Sequence, residues 1–166
     1  MRSRPNSRER GNSVVEMSLI FLPLMFSIFS VFEVGRAMWT YHTLAAAVKK
    51  GTRVAMVHGA RCAEASSSCP VTVGNLVQTI QDNGVGLDMS ALELIFTAGS
   101  QTLDCAPASG CATNNTTWPP SPYNPVGLSV TISGKYGFNS VLKAMWPGQT
   151  TGTFNLAAKS TETIQF

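Results

Sequence analysis

A chain of 166 residues has room for one modest domain and an anchoring segment, and only 13% of these residues are charged, against roughly 25% in an average soluble domain. The formal net charge of +3 is unevenly distributed, since residues 1–61 contain nine Lys and Arg and three acids, whereas residues 62–166 contain three and six. The basic side chains flank an apolar run and are not interleaved with aromatic residues. This pattern favours anionic membrane lipids and argues against nucleic acid as a partner.

Residues 1–11, MRSRPNSRERG, are polar and rich in arginine, and we predict that they form a leader peptide. A helix is predicted to start near Ser13. Residues 17–32 contain no charged side chain, and the apolar run extends over residues 14–34. As a helix this run rises about 31 Å, enough to cross the roughly 30 Å hydrocarbon core of a bilayer. A helix in a soluble core is rarely apolar on every face, so we predict a single transmembrane helix.

Beyond the apolar run, the same helix is predicted to leave the membrane and become amphipathic, so that it occupies residues 12–60 and ends near Gly59. Its apolar positions recur every three or four residues, which is the spacing of one helix face. This stripe comprises Tyr41, Leu44, Ala45, Val48, Thr52, Ala55 and Met56, while His42, Lys49, Lys50 and Arg53 lie off it.

The four cysteines form two close pairs, Cys62 with Cys69 and Cys105 with Cys111. Neither pair is C-x-x-C, and no histidine follows at metal spacing, so no metal site is expected. Two local disulfides are the simplest pairing, and four buried free thiols are the alternative. Because disulfides persist in oxidising compartments, residues 61–166 are predicted to form an extracytoplasmic domain.

The count of basic residues does not fix the orientation in the membrane. Four arginines precede the apolar run, and four basic residues follow it within about twenty residues. The cysteines and the compact N-terminal arginine cluster together favour a cytoplasmic N-terminus and a C-terminal domain on the far side.

The apolar periodicity of residues 61–166 predicts helices and strands in alternation. Helices are predicted at residues 71–82, ending at Asn83-Gly84, and as one or two turns at residues 139–145. Strands are predicted at residues 92–96, 126–138 and 153–164, the last with Phe154, Leu156 and Ala158 on one face. Residues 99–125 are predicted to form a long loop. The fold class is therefore α+β: a long N-terminal helix, transmembrane and then amphipathic, packed with a small antiparallel β-sheet domain.

A glycine stands directly before the apolar run, and an acid follows five residues later, in Gly11-Asn-Ser-Val-Val-Glu16. A secretory signal would instead place small residues after a shorter apolar stretch. The observed order resembles the prepilin-peptidase site of type IV pilin-like proteins, in which the leader is removed after the glycine and the apolar helix is retained. The resemblance implies processing between Gly11 and Asn12.

Residues 10–55 more closely resemble the N-terminal region of TadE-like proteins, the minor pseudopilins of tight-adherence (Flp) pilus assembly. The motifs are Gly11, Glu16, Pro23, the Phe32-Glu33-Val34-Gly35-Arg36 segment and the Gly51-Thr52-Arg53 end. The resemblance implies a bacterial cytoplasmic membrane protein whose partners are prepilin peptidase, other pilin-like subunits, pilus assembly proteins and membrane lipids. Whether the chain enters the pilus or only primes its assembly is left open.

Glu16 is the candidate assembly residue. A carboxylate in lipid needs a partner, and cleavage would place the Asn12 α-ammonium within one helical turn of it. The resemblance implies a pair with a neighbouring subunit's N-terminus. The alternative is a capping box of Ser13 and Glu16 at the helix start, which could serve the precursor. Glu33 and Arg36 are predicted to pair at the membrane surface, and Pro23 to kink the helix.

No catalytic motif, phosphate-binding loop or cofactor-binding pattern is found in the sequence. We therefore expect a structural assembly protein that is not an enzyme, with no cofactor. The alternative function is an unprocessed, single-pass membrane-anchored extracytoplasmic domain that binds a ligand or partner. Leader removal distinguishes the two.

Overall fold

The computed structural model describes residues 7–62, 69–141 and 153–166. Side chains are described for residues 13–62, 69–141 and 154–166. The helices are α1 (Ser7–Val57) and α2 (Val73–Asn83), and a 3₁₀ turn lies at Ala108–Cys111. The strands are β1 (Leu92–Ala98), β2 (Gln101–Cys105), β3 (Ser129–Asn139) and β4 (Thr153–Thr163). The predicted α+β class, a long N-terminal helix with a small antiparallel sheet, is confirmed.

Helix α1 contains 51 residues and continues through Pro23, so it extends about 76 Å. It starts before the predicted Ser13, because Arg and Glu residues at its N-terminal end are good helix formers. Ser13 therefore lies inside the helix and not at its cap. The predicted capping box is wrong for the intact chain, since the Ser13 amide already lies in a helical turn.

The four strands form one antiparallel sheet in the order β2-β1-β3-β4. Three strands match their predicted positions, but β2 and the 3₁₀ turn lie where a long loop was predicted. The sequence of β2 gave little signal because only Cys105 of this edge strand is fully buried. A tight turn at Gly99, whose φ is +58°, returns the chain from β1 to β2 in a conformation that glycine adopts readily.

The predicted amphipathic stripe of α1 packs on the sheet and on α2. Leu44, Val48, Thr52 and Ala55 are fully buried, while Lys49, Lys50 and Arg53 are exposed. The buried Thr52 hydroxyl donates to the Val48 carbonyl at 2.9 Å, so it is not left without a partner. The stripe begins one turn later than predicted, since Tyr41 remains exposed.

Helix and sheet approach each other closely at Gly134 of β3. A Cβ at this position would lie 2.9 Å from Val48 Cγ2 and 3.0 Å from Leu44 Cδ1, closer than two carbon atoms normally pack. A glycine here lets α1 lie directly on the sheet, which fixes how the folded domain sits against the helix.

The structure contains both disulfides that the cysteine spacing suggested. Cys62–Cys69 links the segment after α1 to the segment before α2, with Cα atoms 6.0 Å apart. Cys105–Cys111 joins the end of β2 to the 3₁₀ turn, with Cα atoms 5.8 Å apart. Of the predicted turns at residues 139–145, Asn139 ends β3, and residues 142–145 lie outside the described residues.

Candidate functional site

The N-terminal half of α1 exposes a continuous apolar surface. Leu19, Leu22 and Val31 are each 73% exposed, and the other large apolar side chains of residues 14–34 are exposed or half-buried. A soluble monomer rarely leaves a surface of this size uncovered. Within the described residues, α1 is the helix that is long and apolar enough to cross a membrane, and it lies near the N-terminus. The chain is therefore a membrane-anchored protein, with α1 as its apolar helix.

The serine hydroxyls of this surface are hydrogen-bonded within the helix. Ser27 Oγ donates to the Pro23 carbonyl at 2.8 Å, and Ser30 Oγ donates to the Phe26 carbonyl at 2.9 Å. Because hydrocarbon offers no hydrogen-bond partner, such internal bonds are what a lipid-facing helix requires.

The residues of the predicted processing site lie at the start of this surface. Gly11 and Asn12 belong to the backbone of α1, and their side chains are outside the described ones. Glu16 is exposed. Asn12 and Glu16 are four residues apart and so lie on the same helix face, about 6 Å apart along the axis. The helix therefore brings the predicted new N-terminus and the predicted assembly acid to one face.

Glu33 and Arg36 form more than the local pair that their spacing suggested. Arg36 Nη2 lies 3.4 Å from Glu33 Oε1 and also donates to the backbone carbonyl of Asn139. The Val141 amide donates to Glu33 Oε2 at 3.1 Å, and the Arg36 guanidinium lies 4.6 Å from the centroid of the Phe138 ring. We call these contacts the Glu33–Arg36 junction. It connects the C-terminal end of the apolar run of α1 to the end of β3.

Two spaces adjoin the junction, and Phe138 lines both. The first is a cleft of about 310 Å³ between α1, β3 and the segment after α2, lined in part by Arg36, Trp39, Asp88 and Tyr136. The second is an almost wholly apolar groove of about 240 Å³, lined in part by Val34 and Phe154. The sequence indicated neither space, because each combines residues from distant parts of the chain.

The cleft contains the carboxylate of Asp88, which is held in place by hydrogen bonds. Asp88 Oδ1 accepts hydrogen bonds from the Ser90 hydroxyl at 2.7 Å and the Ser90 amide at 2.9 Å. Both bonds favour the ionised form and lower the pKa of Asp88. Across the part of the chain that the structure describes, no three His, Cys, Asp or Glu side chains are grouped so that they could hold a metal ion.

Comparison with known proteins adds one match, to the family described as TadE-like protein, over residues 11–53. The match runs from the predicted cleavage site to the buried part of α1, and it includes Glu16, Glu33 and Arg36. No curated protein and no solved structure matches the chain significantly. Residues 11–53 of this chain therefore match the TadE-like family that the sequence motifs predicted.

Proposed function

We propose that this chain is a minor pseudopilin, a non-catalytic component of a Tad (Flp) pilus or secretion apparatus in the bacterial cytoplasmic membrane. The main support is that the TadE-like match at residues 11–53 coincides with a helix that is apolar and exposed in one half and packed on a folded domain in the other. This division suits a subunit that associates with other subunits through its apolar half and displays its domain outside the membrane.

In this proposal the N-terminus is cytoplasmic and the domain of residues 61–166 is extracytoplasmic. Two disulfides in that domain support an oxidising compartment. Prepilin peptidase removes residues 1–11 on the cytoplasmic side, which makes Asn12 the mature N-terminus. The support for this step is the position of Gly11 directly before the apolar run.

Glu16 then takes its partner from a neighbouring pilin-like subunit. Its carboxylate is exposed on the apolar surface of α1, where a charge is stabilised by a group of opposite sign. A new α-ammonium at Asn12 is the group of opposite charge that every mature copy or related subunit would present. Pairing between subunits would set the axial offset at which their helices pack.

Intact-mass measurement of the protein purified from membranes of its native host tests this function. A mass that corresponds to residues 12–166 is expected, apart from small modifications of the new N-terminus. The control is the same gene expressed in a host without prepilin peptidase, which should give the full chain. A full-length chain in the native host would contradict the pilin function and favour the membrane-anchored binding domain.

A further inference from the structure

We propose that the cleft beside the Glu33–Arg36 junction binds the headgroup of a phospholipid that carries a primary amine, with the lipid phosphate at Arg36 and the ammonium at Asp88. The inference rests on the membrane anchoring by α1 that the proposed function includes. It does not depend on leader cleavage or on assembly with other subunits.

The position of the cleft along α1 matches the headgroup layer. The apolar run ends at Val34, and Arg36 follows about 3 Å further along the helix axis. Trp39, which is 69% exposed, and Tyr136 also line the cleft. Tryptophan and tyrosine are enriched where a membrane protein passes from hydrocarbon to water. A helix that spans the bilayer with its apolar run therefore places this cleft among headgroups.

Arg36 is suited to bind a phosphate. Its contacts with Glu33 and Asn139 are made by Nη2, so one edge of the guanidinium is held in place. Arginine carries five N–H donors, and the hydrogen bonds of Arg36 among the described residues leave those on Nη1 and Nε for a ligand. The side chain is 48% exposed. A guanidinium that is fixed on one edge and open on the other can bind two phosphate oxygens together.

Asp88 decides which headgroup fits. Arg36 and Asp88 are the charged side chains among the residues described as lining the cleft, so the cleft carries one charge of each sign. An acidic headgroup would satisfy Arg36 but would lie against the Asp88 carboxylate. A headgroup with a phosphate and a primary ammonium satisfies both, and the ammonium can donate hydrogen bonds to the carboxylate, which a choline group cannot do.

The adjacent groove gives the same lipid a place for hydrocarbon. Its apolar lining includes Val34, Ala37 and Phe154, the last of which is 62% exposed, and it shares Phe138 with the cleft, while Ser30, Glu33 and Ser140 also line it. The cleft volume of about 310 Å³ lies at the lower end of the range of small-molecule sites, roughly 300–1,000 Å³. A headgroup in the cleft and the first part of an acyl chain in the groove account for both spaces.

The test uses the full chain in nanodiscs that contain phosphatidylethanolamine, phosphatidylcholine and phosphatidylglycerol in equal amounts. Lipids retained after release from the discs are identified by native mass spectrometry. We expect phosphatidylethanolamine to be retained about two- to fivefold over phosphatidylcholine, since a half-exposed ion pair contributes modestly. Asp88→Asn, which keeps an oxygen for Ser90, should abolish this preference and leave phosphatidylglycerol retention unchanged or higher.

Asp82→Asn is the matched control, because Asp82 is exposed on α2 and is not among the described lining residues. It should keep the preference of the unmodified chain. Equal retention of all three lipids by an inserted protein, or a preference that survives Asp88→Asn, would overturn the lipid site while leaving the proposed function intact. A photoreactive residue at Tyr136 that captures protein and no lipid in native membranes would also overturn it.

Discussion

The guanidinium of Arg36 donates a hydrogen bond to the backbone carbonyl of Asn139, a residue 103 positions further along the chain. A second contact runs the other way, from the Val141 amide to the Glu33 carboxylate at 3.1 Å. Together these bonds hold the end of β3 and the residues just after it against the helix where its apolar run ends. The junction therefore couples the folded domain to the membrane anchor, so that the two are held in one orientation and not joined by a free linker.

The first prediction concerns this junction. Glu33→Ala removes the acceptor of the Val141 amide and one partner of Arg36. Hydrogen exchange at Val141 should become about ten- to hundredfold faster, because a hydrogen bond to a charged group contributes roughly 1.5–3 kcal/mol. The control is Glu93→Ala, which removes an exposed acid from β1 and should leave Val141 exchange unchanged. Unchanged exchange in Glu33→Ala would mean that the junction does not hold the domain.

A second prediction concerns the contact of α1 with the sheet. Gly134→Ala adds a Cβ close to Val48 and Leu44, and it should destabilise the domain by about 1–3 kcal/mol because a packed core tolerates extra atoms poorly. Gly110→Ala is the matched change, since nothing lies within 4 Å of the added atom there. Thermal unfolding of both variants in detergent, followed by near-UV circular dichroism, should separate them. Equal midpoints would show that helix and sheet are more loosely packed than described.

The parts of this fold that sequence predicts well are those governed by local periodicity. The stripe through Leu44, Val48 and Thr52 follows from helical spacing, and the alternation in β3 follows from the two faces of a strand. The edge strand β2 has little apolar alternation, so its place depends on β1, with which it pairs. The predicted helix start at Ser13 was wrong because the helix extends through the polar residues before it, which carry no apolar periodicity.

The candidate site likewise contains some features that the sequence predicts and others that depend on tertiary packing. Gly11, Glu16 and the apolar run form a linear motif that can be read directly. The Glu33–Arg36 pair is visible as two opposite charges three residues apart, but its contacts with Asn139 and Val141 depend on where the end of β3 meets α1. The cleft and Asp88 depend on the packing of three separate segments, which no local pattern in the sequence specifies.

The third prediction concerns the disulfides. Non-reducing peptide mapping of protein from its native membrane should find Cys62 joined to Cys69 and Cys105 joined to Cys111. With sequence separations of 7 and 6, each bond should contribute about 2–3 kcal/mol by restricting the unfolded chain. Replacing Cys105 and Cys111 together by serine should therefore lower the free energy of unfolding by about that amount. Joined Cys62 and Cys105 would contradict the pairing, and four free thiols would also remove the main argument for the orientation in the membrane.

Leader cleavage gives the fourth prediction. Gly11→Leu places a large side chain at the predicted cleavage site and should block processing in a host that contains prepilin peptidase. Gly11→Ala adds only a methyl group and should slow processing mildly. Immunoblotting for the size shift, with N-terminal sequencing of the shorter product, measures both. Normal cleavage of Gly11→Leu would place the processing site elsewhere in the chain.

The last prediction separates two roles for Glu16. In the intact chain Ser13 lies inside α1, so a capping box could form only after the leader is removed. If Glu16 acts as part of such a cap, Glu16→Gln should be nearly silent, because glutamine also completes the box, and Ser13→Ala should weaken assembly.

If Glu16 instead pairs with the Asn12 ammonium of a neighbour, Glu16→Gln should weaken assembly and Ser13→Ala should not. Removing one member of a buried pair typically costs about 3–5 kcal/mol, so Glu16→Gln should be inserted and cleaved normally but should no longer co-purify with other pilin-like subunits. Ser13→Ala should then assemble like the unmodified chain. Crosslinking in native membranes beside a cleavage assay decides the matter, and normal assembly of Glu16→Gln would show that its charge has no role between subunits.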